Sequence, residues 1–461
     1  MGSKASKRGL VLPRKILIIG ANAAGINAAS AARKTDREAE ITLITDEEYP
    51  AYSRCGLPFV LAGDIPSFEN LIIFPTSYYR MMRLDLRTDT KAKTINPRGK
   101  TVLVKGKDEK QKTMEYDSLI LTTGAESFCP PIKGRDKDGV LSLRTIEEGK
   151  HIHDAMKRAK KAVVVGAGFI GLEMAHAFAE KNIETTIVEM LPCCLPAVLD
   201  EDMADLVQRE IERHNVRVIV GKGVDEILGD GRVTGVFVAG EEIPADIVLL
   251  ACGVRARNEL AEKAGIEMGA TRAIKVSHRM ETSMPDIYAA GDCIESTDMI
   301  TGRPTLSQLG TTAVRQGKVA GINAAGGYSI FPGVLGSAVT RIFGFEVGAT
   351  GLTESRARAG RVGLKTVSGK ITAKTKPEYF PGGKEITVKI VIESESERIV
   401  GGQIVGGEGV AQRINMISLA IQKGATVWDL GKADTCYAPP VADTWEPVAL
   451  ASELAGLKIR R

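Results

Sequence analysis

The chain has 461 residues, too long for one hydrophobic core and enough for roughly three domains. Its 44% hydrophobic content and 49 glycines fit a Gly-rich α/β protein, and a net charge of +4 from interspersed acids and bases excludes a clustered nucleic-acid footprint. No run of about 18 apolar residues is present, which excludes a membrane-spanning helix and leads us to expect a cytoplasmic protein.

The basic stretch up to Lys15 lacks an apolar signal core, so Met1 to Arg14 reads as a leader. Lys15 to Ile19 is an apolar run ending in Gly20, followed by the Ala-rich stretch Ala23 to Arg33 and a second apolar run, Ile41 to Thr45. That order reads as strand, tight turn, helix, strand. Residues 91–121 read as a β-meander, with Thr101 to Val104 and Ser118 to Leu121 as strands. Cys129-Pro130-Pro131 breaks the chain before a helical stretch at 145–160. The strand–turn–helix–strand order then restarts at Ala162 to Val165 and runs to Glu184 to Val188. Two such units imply two nucleotide domains of similar fold. After Ile247 to Ala251 the chain returns to the first domain near Tyr288 to Cys293, and Gly326-Gly327 and Pro332-Gly333 mark a linker. Strands at Ile386 to Glu393 and Ile399 to Val405 with a helix at Val410 to Gln422 describe an α+β domain. The expected division is 1–125 with 250–330, then 126–249, then 335–461.

The second Gly-rich turn, Gly166-Ala167-Gly168-Phe169-Ile170-Gly171, follows a Val-rich strand and opens a helix, the context that a dinucleotide fingerprint requires. Its glycines permit a tight turn and close approach of a pyrophosphate to the helix N-terminus. Glu189 ends the next strand, where an acid binds the ribose 2′-hydroxyl of NAD and repels a 2′-phosphate, so NADH is expected ahead of NADPH. Gly253 completes this set. In the first turn, Gly20 to Gly25, Asn22 replaces the middle glycine, and Thr45 stands where an acid is usual, with Asp46 beside it. Thr122-Thr123-Gly124-Ala125 adds a tight turn, and Gly291-Asp292 follows a strand, where the carboxylate can accept a hydrogen bond from a ribityl hydroxyl.

Between the two turns lies Cys55, in Tyr52-Ser53-Arg54-Cys55-Gly56-Leu57-Pro58, with no second cysteine a few residues away. The odd cysteine count, at 55, 129, 193, 194, 252, 293 and 436, lacks C-x-x-C spacing and argues against a disulfide framework or a zinc site; the five histidines give no metal-ligand spacing. Pro58 near a helix start and Arg54 beside the thiol lead us to expect a lowered Cys55 pKa.

Taken in order, the first turn, YSRCGLP, TTGA, GAGFIG with Glu189, and YAAGDC resemble the flavoprotein disulfide reductases with two dinucleotide domains. Within them the chain is similar to the single-cysteine branch: coenzyme A disulfide reductases, NADH oxidases, NADH peroxidases and persulfide reductases. That resemblance implies FAD held by Gly20, Asn22, Gly25, Asp46, Arg54, Thr123, Gly124, Gly291 and Asp292. It implies NADH, or NADPH, at Gly166, Gly168, Ile170, Gly171, Glu189 and Gly253, and a homodimer built by residues after about 335. Tyr379-Phe380-Pro381-Gly382-Gly383 and Tyr437-Ala438-Pro439-Pro440 resemble segments that this branch presents to the partner subunit's cysteine, so Tyr379 and Tyr437 join Cys55 as expected catalytic residues. Ser53 matches the family's serine only with shifted spacing. Oxidases and peroxidases carry a histidine where this chain has Ala23, which favours reduction of a small disulfide, such as coenzyme A disulfide or a persulfide. Arg54, Arg80 and Arg83 are candidate partners for a coenzyme A phosphate. An NADH oxidase and an electron-transfer subunit for a protein partner are the competing readings.

Overall fold

A computed structural model describes residues 12–359 and 362–459; the expected leader lies outside the described residues up to position 11. Five parallel strands form the first sheet, in the order Ile287–Ala289, Ser118–Leu121, Lys15–Ile19, Glu40–Ile44 and Leu84–Arg87. Ser118–Leu121 therefore does not belong to the expected meander. All four of its residues are buried, as a central parallel strand requires, whereas a meander with one wet face would alternate. The meander that does form is three-stranded and antiparallel: Lys91–Asn96, Thr101–Lys105 and Gln111–Glu115. Two helices, Ala23–Thr35 and Gly310–Ala324, pack almost backbone to backbone: a Cβ at Gly317 would lie 2.2 Å from the Ala24 carbonyl oxygen.

The second parallel sheet runs Arg217–Ile219, Glu184–Val188, Lys161–Val165, Ile247–Leu250 and Val140–Leu141. Its central strand enters the helix Phe169–Glu180 through the second glycine turn. The chain passes between the two sheets through an antiparallel strand pair, Ala125–Ser127 with Val254–Ala256. Third comes an antiparallel sheet in the order Ala338–Ile342, Phe345–Gly351, Ile399–Gly406, Glu385–Glu393 and Thr366–Lys374, with the helices Val410–Gln422 and Pro447–Ile459.

Polar contacts tie this last unit to the second sheet. Lys389, only 5% exposed in its side chain, contacts Asp200 at 3.1 Å, Asp202 at 2.8 Å and Glu354 at 2.8 Å. Three carboxylates around one buried ammonium compensate its desolvation, and they push Lys389 up to about 12. No helix among the described residues is long and apolar enough to cross a membrane.

Candidate active site

The first glycine turn is closed by sterics. Gly20 sits at φ +106°, and a Cβ at Gly25 would lie 1.9 Å from the Gly20 carbonyl oxygen. Asn22 does not obstruct this turn, because it caps the helix: its Oδ1 accepts from the Ala23 N–H at 2.7 Å. Its Nδ2 is buried without a partner. A buried donor beside a helix N-terminus fits an anionic group.

In the second turn, Gly166 is also at φ +106° and a Cβ at Gly171 would lie 2.0 Å from the Gly166 carbonyl oxygen. Gly168 differs: a Cβ there would meet nothing within 4 Å, and the helix starts without a side-chain cap. That glycine leaves room for something outside the protein. Ile170 is partly buried in the first turn of this helix, behind the open position. Glu189 is 9% exposed and folds back on the turn, with Oε2 accepting from the Ala167 N–H at 2.7 Å and Oε1 from the Leu191 N–H at 2.8 Å. Met190 and Leu191 beside it are exposed apolar side chains. Gly253, at φ +98°, and Gly124, at φ +70°, likewise face open space at their Cβ positions.

Cys55 lies in a short 3-10 turn, Arg54–Gly56, that runs into the six-residue helix Leu57–Ala62. Leu57 and Leu61 pack in the same core as Leu172 and Phe178, so the thiol's helix sits against the helix opened by the second turn. Ser53 makes no capping hydrogen bond. Cys55 is exposed at its edge, yet protein surrounds it closely enough that burial, and then the Glu173 carboxylate, push its thiol up from the ordinary value. This corrects the expected lowering. Arg54 is spent elsewhere: it pairs with Glu47, donates to the Arg144 carbonyl at 2.7 Å and lies 5.0 Å over the Tyr52 ring. The cation that does favour the thiolate is Arg144, whose guanidinium binds Asp292 at 2.6 Å.

Four residues near this site escaped sequence reading. Arg144 has a buried, unpartnered Nε besides its bond to Asp292, so part of its donor set remains open. Gly310 begins a 15-residue helix with no side-chain cap and open space at its Cβ position, and Gln308 just before it donates to the Asp292 carbonyl at 3.5 Å. Glu173 is pushed up to about 7 by burial and accepts a 2.6 Å hydrogen bond from the Thr340 hydroxyl of the C-terminal sheet. For Glu173 a signal was present: it lies two residues after Gly171 on the nucleotide helix.

Among the remaining expected residues, Asp46 is exposed and 3.6 Å from Arg257, which itself donates to the Gly124 carbonyl. Thr123 donates to the Arg257 carbonyl at 2.5 Å, and the Gly291 N–H donates to Gln316. Tyr379 and Tyr437 share a 2.6 Å hydrogen bond between hydroxyls, and both are exposed. Neither is hydrogen-bonded to the Cys55 segment among the described residues. Arg83 lies near Glu38 and bonds the Arg37 carbonyl, while Arg80 is exposed. Cys193, Cys194 and Cys293 are buried.

Two glycine-turn cradles flank one thiol, the first with the unpartnered buried donors of Asn22 and Arg144 and the second with open space at Gly168, and they fit FAD and a nicotinamide dinucleotide. Comparison with known proteins agrees. Residues 14–317 match the pyridine nucleotide-disulphide oxidoreductase family and residues 337–449 its dimerisation domain. An NADH oxidase from Methanocaldococcus jannaschii is 44% identical over 96% of this chain and 99% of its own. A CoA-dependent NAD(P)H sulfur oxidoreductase from Pyrococcus furiosus is 34% identical over 96% of this chain and 99% of its own. The solved structure of an NAD-dependent persulfide reductase from A. fulgidus superimposes with a TM-score of 0.93 at 36% identity, over 96% of this chain and 83% of that one. The chain therefore belongs to the pyridine nucleotide-disulphide oxidoreductase family and is an NAD(P)H-dependent flavin oxidoreductase.

Proposed function

We propose that this enzyme reduces a low-molecular-weight disulfide, coenzyme A disulfide or a related persulfide, through the single thiol of Cys55. The observation that carries this reading is the position of that thiol. Its charge is opposed by Glu173, on the helix of the second turn, and favoured by Arg144, which is bound to Asp292 just after the first sheet's strand Ile287–Ala289. When bound, FAD would supply the hydride acceptor and two-electron relay between the nicotinamide and sulfur. The chain's own residues do the rest. Gly20, Asn22, Gly25, Asp46, Thr123, Gly124, Gly291, Asp292 and Arg144 would hold the flavin dinucleotide, and Arg54 pairs with Glu47. Gly166, Gly168, Ile170, Gly171, Glu189 and Gly253 would hold NADH, and the Glu189 carboxylate would repel the extra phosphate of NADPH.

Cys55 attacks one sulfur of the substrate, a mixed disulfide forms, and the other half leaves as a thiolate. Glu173 gains and loses a proton near neutrality; protonated, it no longer opposes the Cys55 thiolate. Tyr379 and Tyr437 serve as proton donors to the leaving sulfur in a homodimer, where one protomer's pair faces its partner's Cys55. Their exposure, and the lack of a hydrogen bond from either to the Cys55 segment of their own chain among the described residues, support this arrangement.

Reduction of O₂ is a second reading, favoured by the 44% identical relative that bears the name NADH oxidase. Against it, Ala23 offers only a methyl group at the helix start, with no polar partner for an oxidised sulfur. The test is anaerobic NADH titration of wild type and Cys55→Ser with coenzyme A disulfide as acceptor. Turnover by wild type, with a variant that reduces its flavin and stalls, supports the reductase. Equal flavin reduction with no disulfide consumed by either, and rapid O₂ uptake by both once air is admitted, refutes it.

A further inference from the structure

The C-terminal sheet reaches the helix of the second turn through one hairpin, Ala338–Ile342 with Phe345–Gly351. Its turn is Phe343-Gly344, both left-handed, at φ +50° and +77°. Two such residues make a type I′ turn, whose first position suits Asn, Asp or Gly better than an aromatic residue. A phenylalanine there is strained, and such strain persists where surrounding contacts over-determine it. Two histidine rings supply those contacts. His214, just after the helix Glu201–Arg213, stacks on Phe343 with ring centroids 4.3 Å apart and planes at 8°. His176, on the helix Phe169–Glu180, meets it edge-on at 4.6 Å and 83°. Ile342 and Val347 are buried in the same core as Leu57 and Leu172. Arg341 lies 4.0 Å from Asp64, just past the thiol's helix Leu57–Ala62. The hairpin is therefore fixed against the helix of the second turn and reaches the end of the thiol's helix, and those two helices pack on each other.

Thr340 is the polar residue that this hairpin sends into the contact. It is 6% exposed, and its hydroxyl donates to the Glu173 carboxyl at 2.6 Å. Glu173 adjoins Leu172, which shares its core with Leu57, two residues after Cys55. We propose that Thr340 is a positioning residue for Cys55: its hydroxyl fixes the Glu173 carboxyl, and the hairpin of the C-terminal unit thereby sets how strongly that carboxyl opposes the thiolate. The inference rests on the proposed function only in naming Cys55 as the redox thiol; the placement of Glu173 does not. Burial works against a charge on Glu173, and the Thr340 hydrogen bond works for it. The other charged groups around this helix face one another. His176 and Glu180, on the helix itself, are 3.8 Å apart, and His214 is 3.3 Å from Glu210. Arg341 faces Asp64, and on the second sheet Lys161 pairs with Glu184 at 3.2 Å. Without the hydroxyl, Glu173 stays protonated to higher pH, and the Cys55 thiolate meets less opposition there.

The experiment follows alkylation by iodoacetamide in the flavin-loaded protein without NADH. It is read on the Cys55 peptide by mass spectrometry, because Cys129 and Cys436 are also exposed. Thr340→Val keeps the β-branched shape and removes the hydroxyl, while Thr340→Ser keeps the hydroxyl. At about pH 8 the valine variant is expected to alkylate about threefold faster than wild type. At about pH 6, where Glu173 is protonated in both, the two rates are expected to coincide. Thr340→Ser is expected to keep the wild-type profile, and Thr340→Val placed in a Glu173→Gln background to add nothing to the single change. An unchanged rate at the higher pH overturns the inference. So does a rise that persists in the Glu173→Gln background or appears equally in Thr340→Ser, because either would mark a packing effect. Neither NADH nor a disulfide takes part, so failure here is distinguishable from failure of the proposed reductase activity, which the titration with Cys55→Ser decides on its own.

Discussion

The two glycine-rich turns share a backbone and differ in what their side chains do. Both begin with a glycine at φ +106°, and both need a second glycine five residues on, because a Cβ there would fall 1.9 or 2.0 Å from a carbonyl oxygen. At the middle position Asn22 caps its own helix, while Gly168 leaves its helix uncapped and open. Five residues after that, Asn27 donates to the carbonyl of Ala23 within its own helix, whereas Glu173 stands beside the thiol with a raised proton affinity. One local motif thus serves two ends. The first turn is largely satisfied by its own side chains, as suits a resident cofactor; the second is left open and carries a titrating group, as suits a co-substrate that arrives and leaves.

That contrast can be broken at four places. The largest effect is expected where the turns are alike: Gly25→Ala and Gly171→Ala each force a methyl group into a backbone carbonyl and cost about 3 kcal/mol. Thermal melts and flavin content report it, and tolerance at only one site would end the parallel. Glu173→Gln comes next. Its carboxyl is raised to about 7 from an ordinary 4.5, so its relative stability is full below the unfolded carboxyl's range and is lost as pH rises through about 7. The glutamine variant lacks that loss and gains about 2 kcal/mol on wild type above neutrality, with no gain near pH 4. Denaturant melts across this range show the slope, and alkylation of Cys55 is expected to begin at lower pH in the variant.

A smaller change follows Gly168→Ala. At φ −78° the backbone accepts alanine, so melts are expected to stay within a few tenths of a kcal/mol. The KM for NADH rises about tenfold, equivalent to about 1.4 kcal/mol, because the methyl group occupies the open cradle. Smallest is Asn22: alanine removes the cap and costs about 1 kcal/mol, while glycine costs a few tenths. Asn22→Gly makes the first turn resemble the second, and retained flavin in that variant would show that capping, rather than a contact to the cofactor, is what Asn22 contributes.

Local chemistry made the nucleotide turns legible. Gly20, Gly25, Gly166, Gly168 and Gly171 announce themselves because strand, turn and helix are contiguous and the spacing of glycines is set within a few residues. Cys55 was legible for the same reason, as a lone thiol beside Gly and Pro. Its environment was not. Arg54 adjoins Cys55 in sequence, but its guanidinium turns to Glu47 and to the carbonyl of Arg144, 90 positions away. A neighbour in sequence need not be a neighbour in charge once the side chain has several rotatable bonds and a better partner. The six-residue helix after Cys55 was too short to outweigh burial.

The sequence by itself determined the two glycine-rich turns, the order of the α/β units and which thiol, Cys55, is proposed as redox-active, because each depends on residues that are close along the chain. Only the tertiary structure decided which charges act on that thiol. Arg144 and Asp292 meet across 148 positions, and Glu173 is held by Thr340 across 167. It also decided that Ser118–Leu121 is a core strand, since strand partners are selected by burial and register over long separations, and no spacing along the chain encodes them.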